Sequence, residues 1–526
     1  MGCVRAAYRV EDVRAAEQTL LQTLPPDALM QRAAFGLAGV CIRILKKRRS
    51  RLVGAKVVIL VGTGFNGGDA LFAGKSLASR GAQVLAIMTG DECHEAGAQA
   101  LRRAGGHIEK ADIARHAGKL SEADLIIDGI LGIGGNGALH SPAAELAVVA
   151  RDSAAPVVAV DLPSGVDADT GAVADPDRVV TADVTVTFGC LKSGLVIAPA
   201  MFHVGKLVPI DIGLTPALAD KTPALTVMKK KAVAALLPIA QQDDDKYTRG
   251  VVGVVAGSAA YPGAGILATG SARYGGAGMV RYAGEIPEQA VSWWPEVVVA
   301  TEGPAEAGRV QAWVIGPGAG KDTHAKAVLH DVLDAQVPVL IDADALTLVS
   351  EDDYLAERIR RRNDEGLVTV LTPHAGEFAR LGYPLPAGEQ ADRLGAVRDA
   401  AARFGAVILL KGASTIVASP EGNTFVNTTT TSALSTAGSG DVLSGLAGSM
   451  LARNSGTGQL DNARAAEVVA AAAFVHGMAG QIATGSREGS GERRRERRRL
   501  SGRPVTASDV MAQVPSAIAT IRSPAE

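Results

Sequence analysis

The chain has 526 residues, more than one hydrophobic core usually organises, so we expect two or more domains. Hydrophobic residues make up 47% of it, which excludes a chain that is disordered along its whole length. The formal net charge of −2 provides no global field for nucleic acid or an anionic membrane, so we expect binding to neither.

The cysteines and the apolar runs bear on where the protein works. The 4 cysteines, at positions 3, 41, 93 and 190, have no CxxC or Cys/His ligand spacing, which argues against a disulfide scaffold or a zinc site. We therefore expect a cytoplasmic protein. The richest apolar stretch, residues 468–478, is short and carries His476, so it predicts a buried helix. We expect neither secretion nor a membrane span.

Short apolar runs alternate with Ala-rich helical stretches in the first half of the chain. The runs lack polar alternation, which is typical of strands covered by helices on both faces, so they predict a mostly parallel sheet. They lie at residues 57–61, 84–88, 125–127, 157–160 and 184–188. Residues 8–49 have helical periodicity, and we expect them to pack on the edge of this sheet.

A second series of apolar runs predicts a second α/β domain. These runs lie at residues 251–256, 314–316, 339–341, 368–371 and 407–410. Prolines interrupt the pattern between the two series, so we place a linker near residues 216–224 and divide the chain into domains 1–218 and 225–526. The Arg-rich segment 485–503 predicts a disordered, solvated insertion, and a final helix resumes near Ser508.

A glycine motif follows the first predicted strand of the sheet. Gly62, Gly64 and Gly67 satisfy GxGxxG, which alone would predict a dinucleotide site at a helix N-terminus. A dehydrogenase would also need an acid at the end of the next strand to hold the ribose. That strand ends in Thr89 and Gly90, with Asp91 as the only substitute, so hydride transfer is unsupported.

Polar residues follow three strands of the same predicted sheet. Asn66, Asp128 and Ser164 stand in these segments, and the carboxyl ends of parallel strands meet at one edge of a sheet. Their oxygen atoms suit a hard cation rather than zinc or copper. Each residue alone could simply cap a helix or a turn, but the three together favour a site.

The region from about residue 8 to residue 216 resembles the NAD(P)H-hydrate epimerase domain, which implies a Rossmann-like, three-layer α/β/α fold. The resemblance implies K⁺ held by Asn66, Asp128 and Ser164, and Asp161 as acid/base candidate. Phe65 and Ala70 depart from the family's NNGGDG pattern, so one polar substrate contact is lost. The implied substrate contacts are Phe65, Asn66, Gly67, Gly68, Asp69, Gly132, Ile133, Gly134, Gly135, Asn136, Gly137, Ala138 and Asp161.

The second half carries its strongest motif at residues 436–441, which read TAGSGD and precede a helical run at 442–450. The glycines leave backbone N–H groups accessible at a helix N-terminus, where they form an anion-binding site with Asp441 beside it as a base. The alternative is that Asp441 is an ordinary acidic residue at a helix N-terminus, where the helix dipole favours a negative charge. Four further motifs lie upstream, each at the end of a predicted strand: GPG at 316–318, DADAL at 342–346, TPHAGE at 372–377 and KGAST at 411–415.

This set of motifs, over residues 227–521, resembles the ADP- or ATP-dependent NAD(P)H-hydrate dehydratases, which have a ribokinase-like α/β fold. The resemblance implies that Ala264, Gly318, His374 and Asp441 bind the hydrate. It implies Mg²⁺ with ADP or ATP as the cofactor. The implied nucleotide contacts are Lys411, Gly412, Ala413, Ser414, Thr415 and Gly440.

Together the halves predict a bifunctional repair enzyme that epimerises R and S NADHX and NADPHX and dehydrates the S form. The alternative is a small-molecule kinase fused to an inactive nucleotide-binding scaffold, because the same fold and base serve net phosphorylation. His374 could also be a structural histidine. We expect a homo-oligomer that works on small molecules and needs no other protein.

Overall fold

Two β-sheets organise the chain in a computed structural model that describes residues 4–25, 27–135, 137–237, 239–455, 460–485 and 503–523. In the first half the strands are β1 (Val4–Tyr8), β2 (Lys56–Val61), β3 (Gln83–Met88), β4 (His107–Lys110), β5 (Leu125–Gly129), β6 (Val157–Val160), β7 (Val184–Phe188), β8 (Leu191–Lys192) and β9 (Lys206–Ile210). In the second half they are β10 (Leu225–Met228), β11 (Val251–Val255), β12 (Met279–Tyr282), β13 (Val298–Val299), β14 (Ala312–Ile315), β15 (Val339–Ile341), β16 (Thr369–Leu371), β17 (Val407–Leu410), β18 (Thr415–Ala418) and β19 (Thr424–Asn427).

Helices occupy most of the segments between these strands. In the first half they are α1 (Val10–Leu21), α2 (Ala28–Arg49), α3 (Phe65–Ala78), α4 (Glu95–Arg103), α5 (Ile113–Ser121), α6 (Ala143–Asp152) and α7 (Met201–Val204). In the second half they are α8 (Lys230–Ala235), α9 (Pro262–Ala272), α10 (Pro287–Trp293), α11 (Thr323–Asp334), α12 (Ala343–Glu351), α13 (Asp353–Asp364), α14 (Ala375–Arg380), α15 (Arg393–Phe404), α16 (Ser439–Ser455), α17 (Asn462–Thr484), α18 (Ala507–Ala512) and α19 (Val514–Arg522).

The first sheet is parallel throughout and has the order β4-β3-β2-β5-β6-β7-β9. Helices cover both faces of this sheet. Strand β2 shows this, since its consecutive residues pack into two different apolar clusters. Val57 and Ile59 pack into one cluster, and Val58 and Leu60 pack into the other. This is the three-layer arrangement expected of strands without polar alternation.

The second sheet has the order β13-β12-β11-β14-β15-β16-β17-β18-β19-β10-β1-β8. The seven strands from β13 to β17 are parallel, and β18 runs antiparallel to both of its neighbours. In β17, Val407 and Leu409 pack on one face while Ile408 and Leu410 pack on the other. The second half is therefore also covered by helices on both sides.

All ten predicted apolar runs form strands, within one or two residues of the expected bounds. Nine of the described strands were not predicted, and two of these bear on the division into domains. Strand β10 begins directly after the predicted linker and pairs antiparallel with β1, at the start of the chain. Strand β1 also pairs with β8, so two pieces of the first half complete the sheet of the second half. The division at 1–218 and 225–526 stays a proposal.

The segment predicted to be helical at residues 8–49 contains two helices, α1 and α2, after the end of β1. Helix α2 packs against α3 and against β7 and β9, at one end of the first sheet. The predicted disordered insertion, residues 485–503, lies outside the described residues except at its two ends, Gly485 and Arg503.

Two helices, α2 and α17, are long and apolar enough to cross a bilayer by length and composition alone. In the most apolar part of α17, 83% of the residues are buried, against 39% in α2. The buried helix predicted for residues 468–478 is therefore confirmed as the centre of α17.

Candidate active sites

The glycine motif of the first half forms the link between β2 and the first turn of α3, rather than a free loop. Helix α3 begins at Phe65, so Asn66 lies in its first turn and Asp69 follows directly after that turn. Gly62 is required because a Cβ atom there would come within 1.9 Å of the carbonyl oxygen of Ile130. This close approach brings the ends of β2 and β5 together.

The structure joins Asn66, Asp128 and Ser164 in one hydrogen-bond network. The hydroxyl and the backbone N–H of Ser164 donate to the two carboxylate oxygens of Asp128 at 2.7 and 2.9 Å. Asn66 donates its amide to the carbonyl oxygen of Leu131 at 2.9 Å, and the N–H of Leu131 donates to Ser164. The three predicted polar segments therefore converge at one edge of the sheet.

Asp128 is fully buried, with no solvent exposure. Burial raises the pKa of its carboxyl to about 6, although hydrogen bonds from Ser164 and Ile130 oppose the rise. A buried carboxylate without a basic partner is costly, and a bound cation would offset that cost.

Asp161 lies directly after β6 and forms a buried ion pair that the sequence analysis missed. Its carboxylate oxygen accepts from Lys192 Nζ at 2.5 Å and from Thr187 and the backbone of Phe188 at 3.1 Å. Lys192 is 1% exposed. Asp161 has a φ of 66°, a strained conformation for a residue with a side chain, and such strain is typical of functional sites. A lysine inside the apolar segment at 191–197 was the available signal.

Asp69 is the third charged group of this site. Burial, followed by the charges of Asp161 and Glu17, raises the pKa of Asp69 well above its usual range. Its Oδ1 atom is buried and has no hydrogen-bond partner among the described residues. Burial therefore favours the protonated form of Asp69, which also has an unused polar atom.

Helix α1 also reaches the site, although no motif in its sequence predicts this. Arg14 donates to the carbonyl oxygen of Ile133 at 3.4 Å, which places a cation beside the glycine-rich segment 132–135. Burial raises the pKa of Glu17, which interacts electrostatically with both Lys192 and Asp161. The backbone N–H of Val10 anchors the start of the helix on Asp169 at 2.7 Å.

The predicted substrate contacts at 65–69 and 132–138 lie on adjoining segments, since a Cβ atom on Gly132 would lie 3.1 Å from Asn66. Phe65 is 80% exposed. Asn136, which was among the predicted contacts, lies outside the described residues.

In the second half, Lys411 is the centre of a charged cluster at the ends of β15, β16 and β17. Its Nζ lies 2.7 Å from Asp342 and 3.9 Å from Glu377. Burial favours the neutral amine, but these two carboxylates outweigh it and raise the pKa of Lys411. Asp342 is buried and also accepts from the hydroxyl of Ser444 at 2.6 Å.

Asp441 lies in the first turn of α16, where the sequence predicted a base. Burial, followed by the charge of Asp342, raises its pKa to about 7, and Lys411 opposes this rise. Gly438 has a φ of +83°, the left-handed region that favours glycine, and introduces the turn. A Cβ atom on Gly440 would lie 3.3 Å from Lys411 Nζ, so Lys411 and the GSGD segment are adjacent.

The remaining predicted contacts of the second half gather on the same edge. Ala264 and Gly318 touch, because a Cβ on Gly318 would lie 2.8 Å from that of Ala264. His374 caps α14 by accepting from the N–H of Gly376 at 2.9 Å. Its side chain is 55% exposed, so the cap leaves one face of the ring open. The structural and the binding roles of His374 both stay open.

Ser414, in the KGAST segment, has a partner in the other half of the chain. Its hydroxyl accepts from the N–H of Ala198 at 2.9 Å, and the residue is 2% exposed. At the start of the segment, the backbone N–H of Lys411 donates to the carbonyl oxygen of Pro373 at 2.8 Å. The KGAST segment of the second half thus contacts the first half of the chain at Ala198.

Two charged sites at the carboxyl edges of two α/β sheets define a two-site α/β enzyme. The family model described as YjeF-related protein N-terminus matches residues 26–194, and the model described as NAD(P)H-hydrate dehydratase matches residues 252–490. A bifunctional NAD(P)H-hydrate repair enzyme of Mycobacterium tuberculosis is 45% identical over 457 residues, which cover 87% of this chain and 91% of that one. Its counterpart of Mycobacterium leprae is 43% identical over 519 residues, which cover 98% and 100%.

The chain therefore belongs to the family of bifunctional NAD(P)H-hydrate repair enzymes. Among solved structures, the ADP/ATP-dependent NAD(P)H-hydrate dehydratase of Bacillus subtilis, co-crystallised with ATP/Mg²⁺, is 25% identical with a TM-score of 0.44, covering 56% of this chain and 97% of that one. The family match confirms the predicted fusion and its two α/β domains. A kinase fused to an inactive scaffold is not favoured.

Proposed function

We propose that the first half of this chain interconverts the R and S forms of NADHX and NADPHX, and that the second half dehydrates the S form with ADP or ATP. The observation that carries the proposal is the buried charged group at each sheet edge: Asp161, Lys192 and Asp69 in one half, Asp441 and Lys411 in the other. We also propose that the enzyme works in the cytoplasm as a homo-oligomer.

In the second half, Asp441 is the proposed base. Hydroxide leaves poorly near neutral pH, and transfer of a phosphoryl group to the hydroxyl makes elimination possible. Asp441 would accept the proton of that hydroxyl while the N–H groups of the GSGD turn stabilise charge on the phosphoryl oxygens. Lys411 would neutralise charge on the nucleotide phosphates. Phosphate then departs with the electrons of its C–O bond, a proton leaves the adjacent ring carbon, and the double bond of the dihydronicotinamide is restored.

The surroundings of Lys411 fit a nucleotide with Mg²⁺. The carboxylates of Asp342 and Glu377 supply the oxygen donors that Mg²⁺ prefers, and the metal would neutralise phosphate charge. The proposed nucleotide contacts are Lys411, Gly412, Ala413, Ser414, Thr415 and Gly440. Among these, Ser414 is buried against Ala198, so the exposed residues of the segment are the better candidates for direct contact.

In the first half, we propose that Asp161 and Lys192 move the proton that epimerisation requires. The hydroxyl must leave the nicotinamide ring, or the ring must open, before re-addition on the other face. The ammonium of Lys192 holds a proton at the Asp161 carboxylate, and Asp69, whose protonated form is favoured by burial, would donate a hydrogen bond to the substrate. Arg14 lies where it would meet the substrate's diphosphate.

The residues Asn66, Asp128 and Ser164 fit the proposed K⁺. They offer oxygen donors only, and the buried carboxylate of Asp128 has no basic side chain in contact among the described residues. The ion would compensate that charge and fix the segment at 130–132 against which the substrate is proposed to bind.

Replacement of Asp128 should abolish the response to potassium. In the parent, epimerisation of pure R-NADHX without nucleotide, followed by chromatography, should accelerate with K⁺, and K⁺ should raise the melting temperature. Asp128→Asn should lose both responses because it removes the negative charge of the ligand set. Asp175→Asn is the matched control and should keep both, because Asp175 is only half-buried and already has Arg178 as an ionic partner. A parent enzyme indifferent to K⁺ would contradict this assignment.

The dehydration rate should follow the ionisation of Asp441. Its pKa is raised to about 7, and only the ionised carboxylate accepts a proton. At saturating nucleotide, kcat/KM for S-NADHX should therefore fall about tenfold per pH unit below 7 and level off above it. A profile that stays flat down to pH 5 would contradict this role.

One assay tests the proposed function as a whole. The pure chain is incubated with mixed R- and S-NADHX and with ADP or ATP, while phosphate and the absorbance of the reduced nicotinamide are followed. We expect full recovery of NADH with one phosphate released per hydrate. A stable phosphoester without NADH would identify a kinase, and recovery that stops when the S form is consumed would identify an inactive first half.

A further inference from the structure

Arg393 lies beside the KGAST segment of the second half and has no charged partner there. It is the first residue of α15 and is half-buried, and that helix packs against β17 and β18, the strands on either side of the segment. A Cβ atom on Gly412 would lie 3.8 Å from Nη1 of Arg393, so the guanidinium lies against the exposed Gly412. The side chain of Arg393 makes no hydrogen bond or ion pair within the described part of the chain.

A guanidinium in this position is costly without an anion. Burial lowers the pKa of Arg393, and no carboxylate among the described residues opposes that shift. The side chain still carries its charge at neutral pH, because an arginine loses its proton only at far higher pH. Arg398, on the same helix, is satisfied within the fold, since it donates to the hydroxyl of Thr424 and to the carbonyl oxygen of Ala224. A bound anion would offset the cost of the unpaired charge on Arg393.

The lysine of the proposed nucleotide site is already compensated. Lys411 Nζ lies 2.7 Å from Asp342 and 3.9 Å from Glu377, and the charge of Asp441 also acts on it. One lysine therefore faces three acidic groups, whereas ADP and ATP bring several negative charges of their own. A cation outside this cluster would offset the repulsion, and Arg393 is an unpaired cation beside the same segment.

We propose that Arg393 binds a phosphate group of ADP or ATP, one that stays on the nucleotide when phosphoryl transfer takes place. The transferred phosphoryl group would lie at the GSGD turn, which adjoins Lys411, whereas Arg393 adjoins Gly412. The planar guanidinium presents two parallel N–H donors, which match a pair of phosphate oxygens. This inference rests on the proposed dehydratase function.

The test measures nucleotide binding to the whole chain by calorimetry, with ADP, AMP and adenosine as titrants in the presence of Mg²⁺. Arg393→Gln should weaken ADP and AMP about tenfold or more, because AMP retains the phosphate in question, and should leave adenosine unchanged. In steady-state dehydration, KM for ADP should rise by a similar factor, with little change in kcat or in KM for S-NADHX. Arg393→Lys keeps the charge but loses the fork, so its affinities should lie between the two.

A second arginine of α15 provides the matched control. Arg403 is exposed, lies about 15 Å further along the helix and is placed over the ring of Tyr383, so Arg403→Gln should keep the parent's affinities. Melting temperatures show that each variant is folded.

Three results would overturn the inference. The first is an unchanged affinity of Arg393→Gln for ADP or for AMP. The second is an equal loss for adenosine, which would indicate a general effect on the site. The third is a rise in KM for S-NADHX alone, which would assign Arg393 to the diphosphate of the hydrate. A parent chain that binds neither ADP nor ATP would instead refute the proposed function of the second half.

Discussion

Asp441→Asn should reduce dehydration of S-NADHX by about a thousandfold or more while ADP or ATP still binds. The amide keeps the shape of the carboxylate but cannot accept the proton of the substrate hydroxyl. Because the buried carboxylate has a raised pKa of about 7, the uncharged amide should be tolerated by the fold. Single-turnover rates and nucleotide binding by calorimetry measure the two parts of this result.

The matched control for this variant is Asp461→Asn. Asp461 also stands at the start of a helix, where it accepts from the N–H of Arg464 at 2.7 Å, but it is exposed and distant from the charged cluster in sequence. An asparagine preserves that cap, so turnover should not change. Near-normal turnover in Asp441→Asn would remove Asp441 as the base.

Lys192→Met should abolish epimerisation and also destabilise the fold. It leaves the carboxylate of Asp161 buried without its ionic partner, which costs about 3–5 kcal/mol of unfolding free energy. Epimerisation of R-NADHX without nucleotide should fall by about a hundredfold or more, because the proton held at Asp161 is lost. Urea denaturation and the chromatographic assay measure the two effects.

The double variant Asp161→Asn with Lys192→Met distinguishes catalysis from folding. It removes both charges, so much of the lost stability should return, since a neutral pair needs no ionic partner. Activity should stay absent. If the double variant recovered epimerisation together with stability, the pair would have a structural role only.

Ten of the nineteen described strands could be predicted because each is a short apolar run between helical stretches, and such runs pack between helices on both faces. Strand β1, with the sequence VRAAY, was missed because it is too short and too mixed to show a period. Strand β10 was missed because it follows the proline-interrupted segment that predicted a linker. Both are stabilised by pairing with distant strands, and local sequence carries no signal of that pairing.

Asp128, Asp161 and Lys411 could be singled out because their motifs stand at the end of a predicted strand, and Asp441 because its motif opens a helix. Lys192 could not be assigned, because a single lysine in an apolar segment does not identify its partner. Arg393 stands in a segment without a motif, and its position beside Gly412 depends on how α15 packs against the sheet. Contacts between distant parts of the chain are the ones that spacing cannot predict.

The pairing of β1 also bears on how the chain folds during synthesis. Residues 4–8 leave the ribosome before their antiparallel partner, 225–228, which follows more than two hundred residues later. That partner in turn pairs with 426, near the end of the second sheet. The backbone groups of β1 therefore lack both of their partner strands, β8 and β10, until these later segments have been made. A nascent or truncated chain that stops before residue 225 carries an open strand edge, and such edges promote aggregation.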